Sequence, residues 1–387
     1  MQKLIYILIF LALAGTANGQ WVQMSNGMGI FKINSSLTSI GTNIFASTTD
    51  TNNNNTVFLS NDNGNNWTQT NLLINNADIN CMTSIGNTLI VGADQSALIS
   101  TNNGINWTST LNNQDVIGLG AIGSSVFAGT YNMGVRGIYR SDNNGVSWSG
   151  PFLDKTGYSY AKLGNNLYAG TKDNGVYVST NNGNNWTQSG LNNRTVHGIA
   201  ASGTNIIAGT DSGIYVSSDN GINWNQSSIN TGYTFSMIVN NGNIFASIST
   251  MGIYLSTDNG YTWIQKNQGF PSNLLYTPLL IANNYIFAGT MGNFVWRRTY
   301  TEIISVKNIS TEIPSSYSLG QNYPNPFNPS TNIKFQVKSA GLVKLVVLDI
   351  LGKEVATLVN EILQPGTYET TFDGNGLNSG VYFYELM

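Results

Sequence analysis

The sequence is poor in the side chains on which catalysis, metal binding and covalent bracing depend. It has one cysteine, Cys81, so no disulfide can form within the chain and stability must come from packing. It has one histidine, His197, which excludes metal centres built on several imidazoles. Charged residues make up 9% of the chain, far below the roughly one quarter of an ordinary soluble protein. The formal net charge is −3 with no basic run, which excludes nucleic acid as a partner. Glutamate is missing up to residue 301, and all six glutamates (Glu302, Glu312, Glu354, Glu361, Glu369 and Glu385) come later. Neither a cofactor nor a metal is expected.

Long apolar runs are absent too, apart from LIYILIFLALA after Lys3. That run is too short to span a bilayer comfortably, and Ala17-Asn18-Gly19 forms a cleavage site before Gln20. A signal peptide over 1–19 is therefore expected, with no transmembrane segment after its removal.

What the chain has in quantity is Asn, Ser, Thr and Gly, the residues of turns and exposed strand faces. They are organised. One phrase recurs as SNDNGNNW from Ser60, STNNGINW from Ser100, SDNNGVSW from Ser141, STNNGNNW from Ser179, SSDNGINW from Ser217 and STDNGYTW from Ser256. Successive serines are 40, 41, 38, 38 and 39 residues apart, the length of one four-stranded propeller blade. A second marker runs in phase: IFAST at 44–48, LIVGA at 89–93, VFAGT at 126–130, LYAGT at 167–171, IIAGT at 206–210, IFASI at 244–248 and IFAGT at 286–290.

Seven markers and six boxes imply a ring. From each box tryptophan to the next marker alanine (Val91 in one copy) the gap is 21 to 25 residues, and Trp21 precedes Ala46 by 25. The strand starting at Trp21 should complete the blade whose other strands end near Arg298. Such closure leaves no open sheet edge. The expectation is an all-β, seven-bladed β-propeller over 20–300, closed by its N-terminal strand.

Within a box the Asx side chain should accept backbone N–H groups and the glycine should supply the positive φ. The structural set is Asp62, Gly64, Trp67, Gly104, Trp107, Gly145, Trp148, Gly183, Trp186, Asp219, Gly221, Trp224, Asp258, Gly260 and Trp263. Deleting one buried box indole should cost roughly 3–5 kcal/mol. Aspartate at 62, 219 and 258 alternates with asparagine at 102, 143 and 181. A catalytic carboxylate or metal ligand would not tolerate that exchange, whereas a turn cap would. The NWT triplets with the form of a glycosylation sequon overlap the box tryptophan, so the turn accounts for them. These boxes resemble the Asp-box, or BNR, repeats of sialidases, xyloglucan-degrading enzymes, sortilin-type receptors and photosystem assembly factors. The resemblance implies a propeller with its functional face opposite the boxes, and says almost nothing about activity.

Beyond residue 300 the boxes stop. Residues 301–317 read as a linker. Pro314, Pro324, Pro326 and Pro329 then forbid helix, and LVKLVVLDILGKEVATLV, GTYETTFDG and GVYFYELM read as strands of a small β-sandwich. Residues 318–387 resemble the C-terminal sorting domain of type IX secretion substrates of Gram-negative bacteria. The residues that carry the likeness are Tyr323-Pro324-Asn325-Pro326-Phe327-Asn328-Pro329, the turn at Gly352-Lys353-Glu354, and Ser379-Gly380-Val381-Tyr382-Phe383-Tyr384. This implies recognition by the type IX translocon and a secreted or surface-attached protein. Such domains usually run on through a further strand ending in a basic residue. The chain stops at Met387, so the domain is expected to be incomplete there.

Function must be argued from inventory. A sialidase needs an arginine cluster and a tyrosine activated by glutamate. The propeller has Arg136, Arg140, Arg194, Arg297 and Arg298 and no glutamate. A glycoside hydrolase built on two aspartates, drawn from Asp50, Asp78, Asp94, Asp115, Asp142, Asp154, Asp173 and Asp211, is the alternative. DTNNNNT from Asp50 lacks the glycine and closing glutamate of a calcium loop and reads as a solvated loop. His197 occupies the place of Asn80 in the repeat, where a satisfied structural histidine is the plain reading. Cys81 aligns with Gly198 and reads as a small buried residue. The face opposite the boxes carries a candidate site for a glycan or protein ligand at Lys172, Asp173, Arg194, His197 and Asp211, on loops rich in Asn, Tyr and isolated charges. The expected protein is a monomeric, exported binding or structural module without catalysis.

Overall fold

The computed structural model describes residues 20–387 except 30, 31, 51, 76, 133, 272–276, 291–293, 305, 311, 375 and 376. The signal-peptide expectation over 1–19 lies outside the described residues. Between residues 20 and 300 the described chain forms seven antiparallel sheets in sequence order. They are labelled here I (32–75), II (79–110), III (116–141), IV (157–190), V (196–226), VI (234–265) and VII (279–299). Six have four strands. In sheet III the fourth is reduced to a single bridge between Arg140 and Ser149, because Gly150-Pro151 follows and proline has no N–H to extend a ladder.

The markers are the second strands, and their burial explains their composition. Asn166–Thr171, Asn205–Thr210 and Thr88–Ala93 are buried almost from end to end. A strand hydrogen-bonded on both edges and packed on both faces takes a continuous run of small and branched residues. The first strands of neighbouring sheets lie side by side, from I to II and so on to VII, and the first strand of VII lies against that of I.

Each gap between sheets holds an apolar cluster with a tryptophan in it. Trp107, Trp148, Trp186, Trp224 and Trp263 sit in the cores between I and II through V and VI. Trp67 packs between VII and I beside Phe287, Val295, Phe58 and Ile44. Trp21 lies in the core of VI and VII with Phe245, Leu255, Phe270 and Ile286, and its indole donates to the Lys266 carbonyl at 2.7 Å. Beside it, Val22 and Gln23 pair with Arg297 and Trp296, adding a fourth strand to sheet VII from the other end of the chain.

Two of these gaps are polar at the box side. The residue before the box serine is Leu59, Ile99, Val178 and Val216 in sheets I, II, IV and V. The boxes of the sheets that follow carry Ile105, Val146, Ile222 and Tyr261 after the box glycine. In sheet III that position is Arg140, whose Nη1 donates to the Asn182 carbonyl (2.7 Å) and Asn184 Oδ1 (2.9 Å) of the next box. Sheet VII has no box, but the residue in the same register, opposite Phe287 as Arg140 is opposite Phe127, is Arg297, which donates to the Asn63 carbonyl and, at 3.4 Å, to Asn65 Oδ1 in the box of sheet I. Arginine therefore meets an asparagine-bearing box at two gaps, where the other box-bearing gaps carry apolar residues at both positions.

Tyr300–Ile303 form a helical turn with Tyr300 and Ile303 buried against sheets VI and VII. Val306–Ser310 then pair with Thr367–Thr370 as an edge strand. Within the stretch read as a linker, 301–317, residues 306–310 are therefore paired in a sheet, with Val306 fully buried. The C-terminal unit is two facing sheets. One carries 306–310, 366–373, 330–337 and 318–319, and the other 354–363, 341–348 and 383–386. Ile333, Phe335, Leu345, Val347, Tyr368 and Phe372 fill the space between them, with Ile264 of sheet VI buried in the same cluster. Phe327 of the proline-rich stretch stacks edge-on against Phe372 at 5.6 Å.

Candidate functional site

The box turns share one hydrogen-bond scheme. The buried serine Oγ accepts the glycine N–H four residues on, at 2.8–2.9 Å, in all six boxes. The same hydroxyl donates to the Asx Oδ1 at 2.7–3.1 Å. That Oδ1 accepts the N–H just before the tryptophan, at 2.9–3.0 Å. Aspartate and asparagine are interchangeable in this role. Asn220 and Gly221 both have positive φ, +61° and +88°, as do their counterparts in the other boxes. The requirement at the asparagine was not foreseen. Only Trp67 and Trp263 of the box tryptophans are buried. The other four are half-buried, so the expected cost of deletion applies to two of the six.

The opposite face opens onto a central cavity of about 450 Å³ lined by the first strands of all seven sheets. Each described first strand from II to VI carries a one-residue bulge at the same place: Asn80, Ile117, Tyr158, His197 and Phe235. A bulge leaves one residue unpaired and re-aims its side chain. All five line the cavity, and each lies eleven residues before its marker alanine or Val91. Five consecutive blades thus present five different side chains from one repeated backbone position.

His197 is held between two tyrosines. Tyr158 stacks on it at 5.1 Å, and Tyr233 lies 4.1 Å away with its hydroxyl 2.9 Å from Nδ1. Burial depresses the imidazole to a pKa of about 4, only partly opposed by the Asp211 and Asp173 carboxylates. The ring is neutral at physiological pH. Burial, and then the Asp173 charge, raises the Tyr158 phenol.

Four of the five candidate residues meet around Thr195. Asp173 Oδ1 accepts the Thr195 hydroxyl at 2.8 Å, Asp211 pairs with Arg194 at 3.6 Å, and both carboxylates act on His197. Arg194 also lies 5.0 Å over the Tyr215 ring. Lys172 turns away, toward the Tyr131 ring of sheet III at 4.8 Å. Sequence reasoning missed Tyr158, Tyr233 and Phe235. The fixed offset from the marker would have found Tyr158 and Phe235, but not Tyr233, which precedes its strand. Cys81 lines the cavity with its thiol shifted up by burial and directed at the Val116 carbonyl. Asp50 caps its own loop by accepting the N–H groups of Asn52 and Asn54. Among the described residues no group of three His, Cys, Asp or Glu is placed to hold a metal, and no helix is long and apolar enough to cross a membrane.

Residues 321–387 match the family described as the secretion system C-terminal sorting domain. No curated protein matches the sequence. Among solved structures, the extracellular domain of the hybrid two-component system BT4673 from B. thetaiotaomicron aligns with a TM-score of 0.59 and 17% identity, over 84% of this chain and 46% of that one. YCF48 bound to D1 peptide aligns with a TM-score of 0.53 and 16% identity, over 72% and 94%. The WD40 β-propeller domain of Doa1 aligns with a TM-score of 0.54 and 12% identity, over 72% and 96%. At these identities the likeness speaks to fold alone. The chain is a secreted or cell-surface protein exported through the type IX system, and its larger part is a β-propeller.

Proposed function

We propose that residues 20–300 are a seven-bladed propeller of the Asp-box type, closed by the N-terminal strand and displayed outside the cell as a monomeric, non-catalytic binding module. A signal peptide over 1–19 and translocon recognition of 318–387 deliver it there. The ring reading is supported by the pairing of Val22 and Gln23 with sheet VII and by the cyclic order of the first strands. The Asp-box reading is supported by the common serine, Asx and glycine scheme of the six turns.

One observation carries the binding role. The bulge column sets Asn80, Ile117, Tyr158, His197 and Phe235 around the cavity mouth on a scaffold that otherwise repeats. A varied, half-buried wall on a rigid frame is the form of a recognition site for a glycan or protein ligand. The nearby carboxylates act as fixed acceptors: Asp94 for the Asp78 N–H and the Asn80 amide, Asp115 for Gln95, Asp173 for Thr195. The test is a screen of the exported protein against glycan and peptide panels for binding and for turnover, repeated with Tyr158→Ala and His197→Ala. Binding without turnover, weakened in both variants, is the expected result. Released reducing sugar would replace this reading with a glycoside hydrolase that uses propeller aspartates.

A further inference from the structure

Of the five propeller arginines, four are committed within the protein. Arg194 pairs with Asp211, and Arg140 with Asp142 at 3.1 Å. Arg297 donates to the Asn63 carbonyl, and Arg298 to Gln268 Oε1 at 2.9 Å. Arg136 donates to none of the described residues. Its guanidinium carbon lies 5.6 Å from the centre of the Tyr131 ring, and Lys172 Nζ lies 4.8 Å from the same centre, also without an ion pair among the described residues. Two cations thus converge on one ring with no described carboxylate to neutralise them, on a face where Arg194 has its aspartate. A tyrosine face is worth about 0.5–1 kcal/mol to an exposed cation, less than the roughly 1.5–3 kcal/mol that a hydrogen bond to a charged group adds.

The geometry points to an anion site at the rim between sheets III and IV, formed by Arg136, Lys172 and Tyr131, that takes the carboxylate of an acidic polysaccharide. The inference rests on the proposed binding role and deepens it. Guanidinium and ammonium supply charge-assisted donors to a carboxylate. The surrounding groups favour a hydroxyl-rich chain over a peptide. Asn132 follows Tyr131 and Asn174 lies two residues after Lys172; Asn132 Nδ2 donates to the Asn113 carbonyl at 3.2 Å, which leaves its Oδ1 to accept from a hydroxyl. An acidic polysaccharide carries hydroxyls beside each carboxylate, so one sugar unit can engage both the cations and a neighbouring amide, whereas an acidic peptide presents its carboxylates on apolar stems.

Titration calorimetry of the full chain with polygalacturonate, its methyl ester and polyglutamate tests this, using the wild type, the Arg136→Ala/Lys172→Ala double variant, and Lys162→Ala as a charge control on the box side of sheet IV. Binding of polygalacturonate, weakened at least about tenfold by the double variant, unaffected by Lys162→Ala and lost on esterification, is the expected result. Equal loss in Lys162→Ala, or none in the double variant despite an unchanged unfolding temperature, refutes the site. Polyglutamate binding as tightly as polygalacturonate refutes the saccharide class. If polygalacturonate does not bind while another ligand binds in a manner sensitive to Tyr158→Ala, this inference fails and the proposed binding role stands.

Discussion

Replacing Arg297 with leucine tests the seam of the propeller directly, because its acceptor Asn63 lies 234 residues away in sequence. The guanidinium donates to a backbone carbonyl, reaches Asn65 Oδ1 at 3.4 Å and lies 4.4 Å over the Tyr285 ring. A hydrogen bond from a charged donor nets about 1.5–3 kcal/mol, and an exposed cation–π contact about 0.5–1 kcal/mol. With the group half-exposed, the lower ends apply and the sum is about 2 kcal/mol. For a domain of this size that lowers Tm by about 4–8 °C, read by circular dichroism. Arg140→Leu, at the equivalent place between sheets III and IV, should fall by a similar amount. The double variant Arg297→Leu/Asn65→Ile puts an aliphatic pair at the positions that Ile99 and Val146 hold between sheets II and III, and should regain at least about 1 kcal/mol as coupling. If Arg140→Leu destabilises while Arg297→Leu does not, sheets VII and I do not meet as an ordinary interface and the ring is wrong.

His197 is the one histidine in the chain, so its imidazole can be followed by NMR without ambiguity and should titrate near pH 4. Its folded pKa lies below the ordinary 6.5, so the unfolded chain takes up a proton that the folded one refuses. Stability from this group is complete above about pH 6.5 and declines toward pH 4 by about 3 kcal/mol. His197→Asn, the residue found at position 80, should abolish that decline in an acid-unfolding series, and an unchanged series would show that burial is not its cause. Trp263→Ala should cost about 3–5 kcal/mol and Trp224→Ala clearly less, since Trp263 is 4% exposed and Trp224 is half-buried. Equal losses in thermal melts would mean that turn hydrogen bonds, not burial, set the role of the indole. Asp219 is drawn down to about 2 by the Asn223 N–H, the Ser217 hydroxyl and the Asn223 amide. Its stabilisation is present above about pH 4 and lost as pH falls toward 2, so Asp219→Asn should match wild type at pH 7 and lose less on acidification.

The blades were legible because their grammar is local. A box states its own turn, and the buried second strand states itself as an unbroken run of small and branched residues. The sorting domain was legible through its proline-rich stretch, in which Phe327 acts as an anchor for the core. What stayed hidden depends on partners distant in sequence. Val306 gives no sign that it will be drawn into a sheet by Thr370. Arg136 and Lys172 look like solvated charges until Tyr131 is seen beneath both. Arg140 and Arg297 look unrelated until each is seen facing an asparagine-bearing box.

The same contrast bears on where function resides. Backbone hydrogen bonding and inter-sheet packing fix most repeat positions, so a change at a box glycine is met by the preceding sheet: a Cβ on Gly221 would stand 2.1 Å from Ser189 Oγ. The bulge column is the exception. Its residues are outside the ladder and half-buried, so asparagine, isoleucine, tyrosine, histidine and phenylalanine all fit one backbone geometry. Repetition therefore supplies rigidity while leaving, in each of sheets II to VI, one side chain at the cavity mouth whose chemistry the ladder does not dictate. A recognition site assembled from such positions can change its ligand without changing its fold, which is why the boxes identify the architecture so well and the activity so poorly.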